Sequence, residues 1–272
     1  MKESVVIEGV KHIVAVASGK GGVGKSTVTA NLALAMAAEG YRVGLLDADI
    51  YGPSQAQMLG IAEGTRPEVV GEKSFKPIQA HGLQAMSMAL MVDISEPMVW
   101  RGPMVSGAFQ QLLNQTVWDD VDYLFIDMPP GTGDIQLTLA QKVPVSGAVI
   151  VTTPQDIALL DARKGIEMFR KVNVPVLGVV ENMSLHICSH CGHSEPIFGS
   201  GGGERIAEQY DTRLLGQLPL QLSIREQADG GRPSVVAEPD GEVAATFRAV
   251  AREVAAGVEG QSDEGPSISF SE

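Results

Sequence analysis

The octet Gly19-Lys20-Gly21-Gly22-Val23-Gly24-Lys25-Ser26 carries the most specific chemistry in this chain. Gly19, Gly24, Lys25 and Ser26 fit the spacing G-x-x-x-x-G-K-S/T of a phosphate-binding loop. Its glycines free backbone N–H groups to cradle phosphates, Lys25 neutralises the outer ones, and the Ser26 hydroxyl is placed to reach Mg²⁺. A glycine-rich turn with no ligand is the plain alternative. Three aspartates stand where such a loop needs them. Asp47 and Asp49 follow two leucines in Leu45-Leu46-Asp47-Ala48-Asp49, and Asp127 closes the run Leu124-Phe125-Ile126-Asp127. A carboxylate beside the Ser26 hydroxyl can hold Mg²⁺; away from a ligand it caps a turn. Asp49 has two readings, to position or deprotonate an attacking water or to cap residues 50–57. The only two cysteines, Cys188 and Cys191, form a C-x-x-C interleaved with His186, His190 and His193. The pair is open to four readings: a redox dithiol, half of a zinc site, a cluster site or coincidence. A redox dithiol fits poorly, because glycine follows at once and histidines interleave. Zinc on two thiolates and two imidazoles is chemically sound but cramped, with His190 between the thiolates.

Bringing these groups together requires a particular set of elements. Short apolar runs predict strands at residues 13–17, 42–47, 123–127, 148–152 and 176–181, and a weaker one at 214–217. Helical stretches fall at 26–39, 106–115, 134–142, 157–172, 203–209 and 242–258, the fourth capped by Gln155 or Asp156 after Pro154. This alternation predicts an α/β fold, a single P-loop NTPase domain with a mostly parallel sheet and helices on both faces. In such a sheet the C-terminal strand ends face the ligand crevice, which gathers Asp47, Asp49, Asp127 and the glycine loop. Residues 60–77, rich in Gly, Pro and charge, read as an excursion. Residues 1–258 read as the domain, with the cysteine segment 186–193 inside it. The composition turns at Gly257, and residues 259–272 read as an acidic, disordered tail.

Composition removes several classes of function. A chain of 272 residues with 44% apolar content suits one large α/β domain. No apolar stretch reaches the roughly 18–20 residues of a membrane span. The N-terminus carries Glu3 and Glu8 and no apolar core of a signal peptide. A net charge of −13 argues against nucleic acid and anionic lipid as partners. Two cysteines are too few for a disulfide framework. The expectation is a cytoplasmic protein with neither membrane nor nucleic-acid partners.

The loop, Asp-Ala-Asp on the second strand and Asp-Met-Pro-Pro-Gly-Thr-Gly-Asp resemble the deviant-loop ATPases that include MinD, ParA and the nitrogenase iron protein. The resemblance implies ATP as ligand across Gly19 to Ser26 and Thr27. It makes Lys20 a signature lysine that reaches across a homodimer to the partner's nucleotide, as an arginine finger does. By the same resemblance Asp47 lies on a first switch, Asp127 starts a second, and Asn182 recognises adenine.

Such a dimer would also settle the ligand count at the cysteines. Two thiolates are half of what a 4Fe–4S cluster or a four-cysteine zinc site needs, and a two-fold axis supplies the other half. The whole segment from Glu181 to Gly203, Tyr51-Gly52-Pro53-Ser54, and Trp100-Arg101-Gly102-Pro103-Met104 resemble the Mrp/ApbC branch of these ATPases, over about residues 10–258. That branch implies a carrier of a bridging 4Fe–4S cluster, loaded from assembly scaffolds and delivered to apo iron–sulfur proteins. Many of its members carry an extra N-terminal domain, whereas this chain begins almost at its first strand, so docking of donors and acceptors is open. Two other readings compete. One is a positioning ATPase of the MinD or ParA type, against which the acidic C-terminus and net charge stand. The other is a zinc-binding nucleotide switch.

Overall fold

Val, Ile, Leu and Ala run almost unbroken through the central strands because both of their faces are covered. The computed structural model describes residues 6–91, 102–188 and 190–262. Its strands are β1 (Val10–Ala17), β2 (Val43–Asp47), β3 (Val69–Val70), β4 (Ser74–Phe75), β5 (Ile78–Ala80), β6 (Leu83–Ser87), β7 (Val121–Asp127), β8 (Gly147–Thr152), β9 (Val176–Glu181), β10 (His186–Ile187), β11 (Ser194–Glu195) and β12 (Leu214–Gln217). Its helices are α1 (Lys25–Ala38), α2 (Gln55–Met58), α3 (Gly102–Gln115), α4 (Asp134–Lys142), α5 (Asp156–Lys171), α6 (Gly202–Gln209), α7 (Leu222–Asp229), α8 (Ser234–Ala237) and α9 (Glu242–Ser262).

One sheet runs β12-β9-β8-β1-β7-β2-β6-β5, parallel except for the antiparallel edge pair β5–β6. Successive residues feed opposite faces. Val14, Val16, Tyr123, Phe125, Val149 and Val151 pack on the side of α1, α8 and α9; Ile13, Ala15, Leu124, Ile126 and Ile150 pack on the side of α3 to α6. Helix α1 is buried almost all round because α9 lies over it. No helix among the described residues is long and apolar enough to cross a membrane.

The six predicted strands and six predicted helices are all present, the helix at 134–142 with the same bounds. Gln155 is the N-cap position of α5, without a side-chain cap bond. The excursion at residues 60–77 holds the β3–β4 ribbon. One expectation is corrected at the C-terminus: α9 does not stop at Val258 but runs through Gly257 and Gly260 to Ser262. Ala251, Val254, Ala255 and Val258 are buried on it and hold the helix past the composition change. Residues 263–272 lie outside the described residues, as do Trp100, Arg101 and Ser189.

Candidate functional site

Strand β1 lies between β7 and β8, and the glycine loop leaves its C-terminal end. Gly22 and Gly24 have φ of +83° and +82°, values that side chains disfavour. Gly19 backs onto α5 so closely that a Cβ would strike the Asp161 carbonyl, whereas Gly21 has only Pro130 near it. Val23 is buried beneath the loop. Gly24 is the N-cap of α1, and no side chain caps that helix or adds negative charge to its first turn. Uncapped first-turn N–H groups and the helix dipole make this end an anion site.

The acidic groups converge on the same end. Asp47 and Asp127 are register partners on adjacent β2 and β7, both fully buried. Lys25 pairs with Asp127, and its ammonium lies 3.2 Å from Ser26 Oγ. Thr29 Oγ1 donates to Asp127 Oδ1 at 3.1 Å. A cation thus bridges the hydroxyl and the carboxylate that were expected to share Mg²⁺. Thr27 follows in the first turn of α1, where its carbonyl accepts from Asn31 Nδ2 at 3.0 Å.

Asp47 is differently engaged. Its Oδ1 accepts from the Asp49 N–H at 3.1 Å; its Oδ2 accepts from the N–H groups of Ser54 and Gln55 at 3.0 and 3.1 Å and from Ser87 Oγ at 3.2 Å. Burial first, and then the neighbouring Asp127 charge, push its carboxyl up to about 7. The residue that holds the turn into α2 is therefore Asp47. Asp49 is half-buried, accepts from the Gly52 N–H at 3.3 Å, and is raised mainly by burial.

Asn182 sits against the loop. Its Nδ2 donates to the Val23 carbonyl at 2.9 Å, and it abuts Gly24. Lys20 is half-exposed, and its ammonium has no ion pair among the described residues. Two buried residues of the site, Gln55 and Ser87, escape a reading from motifs, since neither belongs to a recognisable spacing.

Beyond Asn182 the chain forms the β10–β11 hairpin, anchored where Leu220 N–H donates to the Leu185 carbonyl at 2.7 Å. His186 Nδ1 lies 3.2 Å from the Leu220 carbonyl, which ties its ring to the backbone. In the hairpin loop, Cys188 N–H donates to His193 O at 2.9 Å and Gly192 N–H to Cys188 O at 2.8 Å. Both thiols are free, Cys188 half-buried and Cys191 exposed. Backbone N–H groups of His190 and then Cys191 lower the Cys188 thiol toward thiolate. Among the described residues, no three of His, Cys, Asp and Glu gather to hold a metal.

Known proteins resemble this chain over most of its length. Residues 9–255 match the ParA family model described as the NUBPL iron-transfer P-loop NTPase. An iron-sulfur cluster carrier protein of Pseudomonas fragi is 69% identical over 242 residues, 89% of this chain and 84% of that protein. A nucleotide-binding protein of Archaeoglobus fulgidus, solved in complex with ADP, superposes with TM-score 0.75 at 35% identity, covering 88% of this chain and 93% of the other. The cell division ATPase MinD of Pyrococcus furiosus shares the fold, with TM-score 0.67 at 24% identity over 90% of this chain and 98% of the other.

Proposed function

The chain belongs to the NUBPL iron-transfer P-loop NTPase family, and we propose that it is an ATP-binding and ATP-hydrolysing carrier. In this reading a homodimer holds a 4Fe–4S cluster between its subunits and hands it to apo iron–sulfur proteins in the cytoplasm. The observation that carries it is the continuity of one segment. Asn182 bonds the phosphate loop at Val23, and the same stretch goes on to present Cys188 and Cys191.

At the nucleotide end, phosphate oxygens compete with Asp127 for the Lys25 ammonium, so binding ATP exchanges one anion for another around a lysine already in place. The loop N–H groups and the α1 N-terminus take the remaining phosphate charge. Mg²⁺, when bound, neutralises phosphate charge; the Ser26 hydroxyl and the Asp49 and Asp127 carboxylates are the hard oxygen donors that suit it. Asp49, raised by burial and beside the loop, is assigned to orient the attacking water and take its proton. Asp47 acts by position, holding the first switch through Ser54 and Gln55. Asn182 keeps its carboxamide oxygen for the adenine amino group. Lys20, with no ion pair among the described residues, is assigned to the nucleotide of the partner subunit.

The cluster is cargo. Each hairpin offers two thiolates, and a dimer offers the four a 4Fe–4S cluster requires. Assembly scaffolds load it, and the exposed Cys191 side is where an apoprotein's cysteines exchange in. Anaerobic reconstitution of wild type and Cys188→Ala, read by iron content and Mössbauer spectra, tests the assignment. Wild type is expected to take up about four irons per dimer and the variant to lose them. Equal loading would overturn it.

A further inference from the structure

Gln55 is only 1% exposed, and its N–H groups are tied to the nucleotide site. Its backbone N–H donates to Asp47 Oδ2 at 3.1 Å. Its side-chain nitrogen donates to the Ser26 carbonyl at 2.9 Å and to Asp127 Oδ2 at 2.8 Å. Both hydrogens of Nε2 are thereby used. The orientation of the carboxamide is dictated, because turning it over would set its oxygen against a carbonyl and a carboxylate, acceptors both. The consequence falls on the other end. Oε1 is buried and has no donor among the described residues. Buried acceptors in folded proteins are nearly always satisfied, so this carboxamide is held through its nitrogen at the cost of its oxygen.

The two oxygens of Asp127 are also divided. Oδ1 faces Lys25 and Thr29, while Oδ2 is held by Gln55. Gln55 therefore fixes which carboxylate oxygen is left to Lys25 and Thr29. Because α2 begins at Gln55 and its N–H is bound to Asp47, a change at the nucleotide also reaches the first switch through this one residue.

We propose that Gln55 is a positioning residue for the hydrated magnesium ion of the nucleotide complex. Its Nε2 fixes the Asp127 carboxylate and the Ser26 backbone, the two groups that flank the ion's donors. The proposal rests on the nucleotide-site reading above. Outer-shell partners of this kind are worth about tenfold or more in metal affinity.

The test separates metal from nucleotide. Affinity for a fluorescent ADP is measured in EDTA and across a Mg²⁺ titration, for wild type, Gln55→Leu and Gln55→Met. The methionine variant keeps the unbranched shape should leucine fail to pack. Affinity in EDTA is expected to stay within about twofold of wild type, while the Mg²⁺ concentration for half-maximal effect rises about tenfold. A wild-type Mg²⁺ dependence in the variants overturns the proposal. So does an equal loss of affinity with and without Mg²⁺, which marks a purely structural tether. Wild type that binds no ADP under either condition overturns the nucleotide-site reading along with this one.

Discussion

Lys25 and Lys20 belong to one loop and meet opposite environments. Lys25 is 6% exposed and paired with an Asp127 that has no exposure at all; Asp47 lies beside that carboxylate in the next strand. Removing the ammonium leaves Asp127 with the neutral donors Thr29 and Gln55 and a carboxyl neighbour. Breaking a buried pair from one side costs more than the pair contributes, because the remaining charge stays desolvated. Lys25→Met is therefore expected to abolish nucleotide binding and to lower the unfolding free energy of the ligand-free protein by roughly 3 kcal/mol in urea titrations. Lys20 holds no ion pair among the described residues and touches the fold mainly through its backbone, whose carbonyl accepts from Ser18 Oγ at 2.8 Å. Lys20→Ala is expected to change stability by less than about 0.5 kcal/mol and to bind ATP normally, yet to hydrolyse it poorly. Wild-type hydrolysis by Lys20→Ala would remove the contact across the dimer from the mechanism.

Strands must be aligned before their C-terminal ends can form a site, and a cluster at the opposite end of the sheet does part of that work. Asp122 of β7 accepts from Lys11 Nζ of β1 at 2.6 Å. It also accepts from Arg42, just before β2, through N, Nε and Nη2 at 3.0, 2.9 and 2.8 Å. These partners, Arg42 first and then Lys11, hold its carboxyl well below the usual carboxylate range. The unfolded chain then binds the proton more readily, so the stabilisation is complete above the ordinary aspartate pKa and is lost as pH falls below it. Asp122→Asn is expected to cost about 1 kcal/mol at pH 7, modest because Arg42 and Lys11 are largely exposed. Thermal melts should show the gap from wild type narrowing below about pH 4; an undiminished gap at acid pH would reject the ionic origin. The elements themselves were legible to different degrees. β1, β7, β8 and β9 are covered on both faces and betray themselves as apolar runs. β6 does not, since Gln84 and Ser87 interrupt it, and Ser87 is polar because it serves Asp47. Helix α2 is a single turn, too short for any period, so the burial of Gln55 becomes visible only once Asp47 is seen to hold its N–H. Helix α9 outran its composition because packing on α1 and the sheet outweighs two glycines.

At the level of the assembly, two half-sites stand on each subunit: a loop whose Lys20 ammonium has no ion pair among the described residues and a hairpin with two cysteines where a cluster needs four. Stoichiometry can decide whether the halves complete each other. If the cluster bridges a two-fold dimer, only dimers with two intact hairpins can hold it. Random pairing of wild type with an equal amount of a Cys188→Ser, Cys191→Ser double variant leaves about one quarter of dimers intact, so iron bound per total chain should fall to about one quarter of the wild-type value. A cluster held within each subunit would instead leave half, in direct proportion to the wild-type chains present. Co-expression of differently tagged chains, anaerobic reconstitution and iron analysis give the number, and capture through both tags verifies that mixed dimers formed. Cluster uptake near one half with verified mixing would remove the bridging site. A value near one quarter would tie cluster retention to the same subunit contact that Lys20 is assigned to serve, so that Lys20→Ala should then loosen the cluster only when ATP is present.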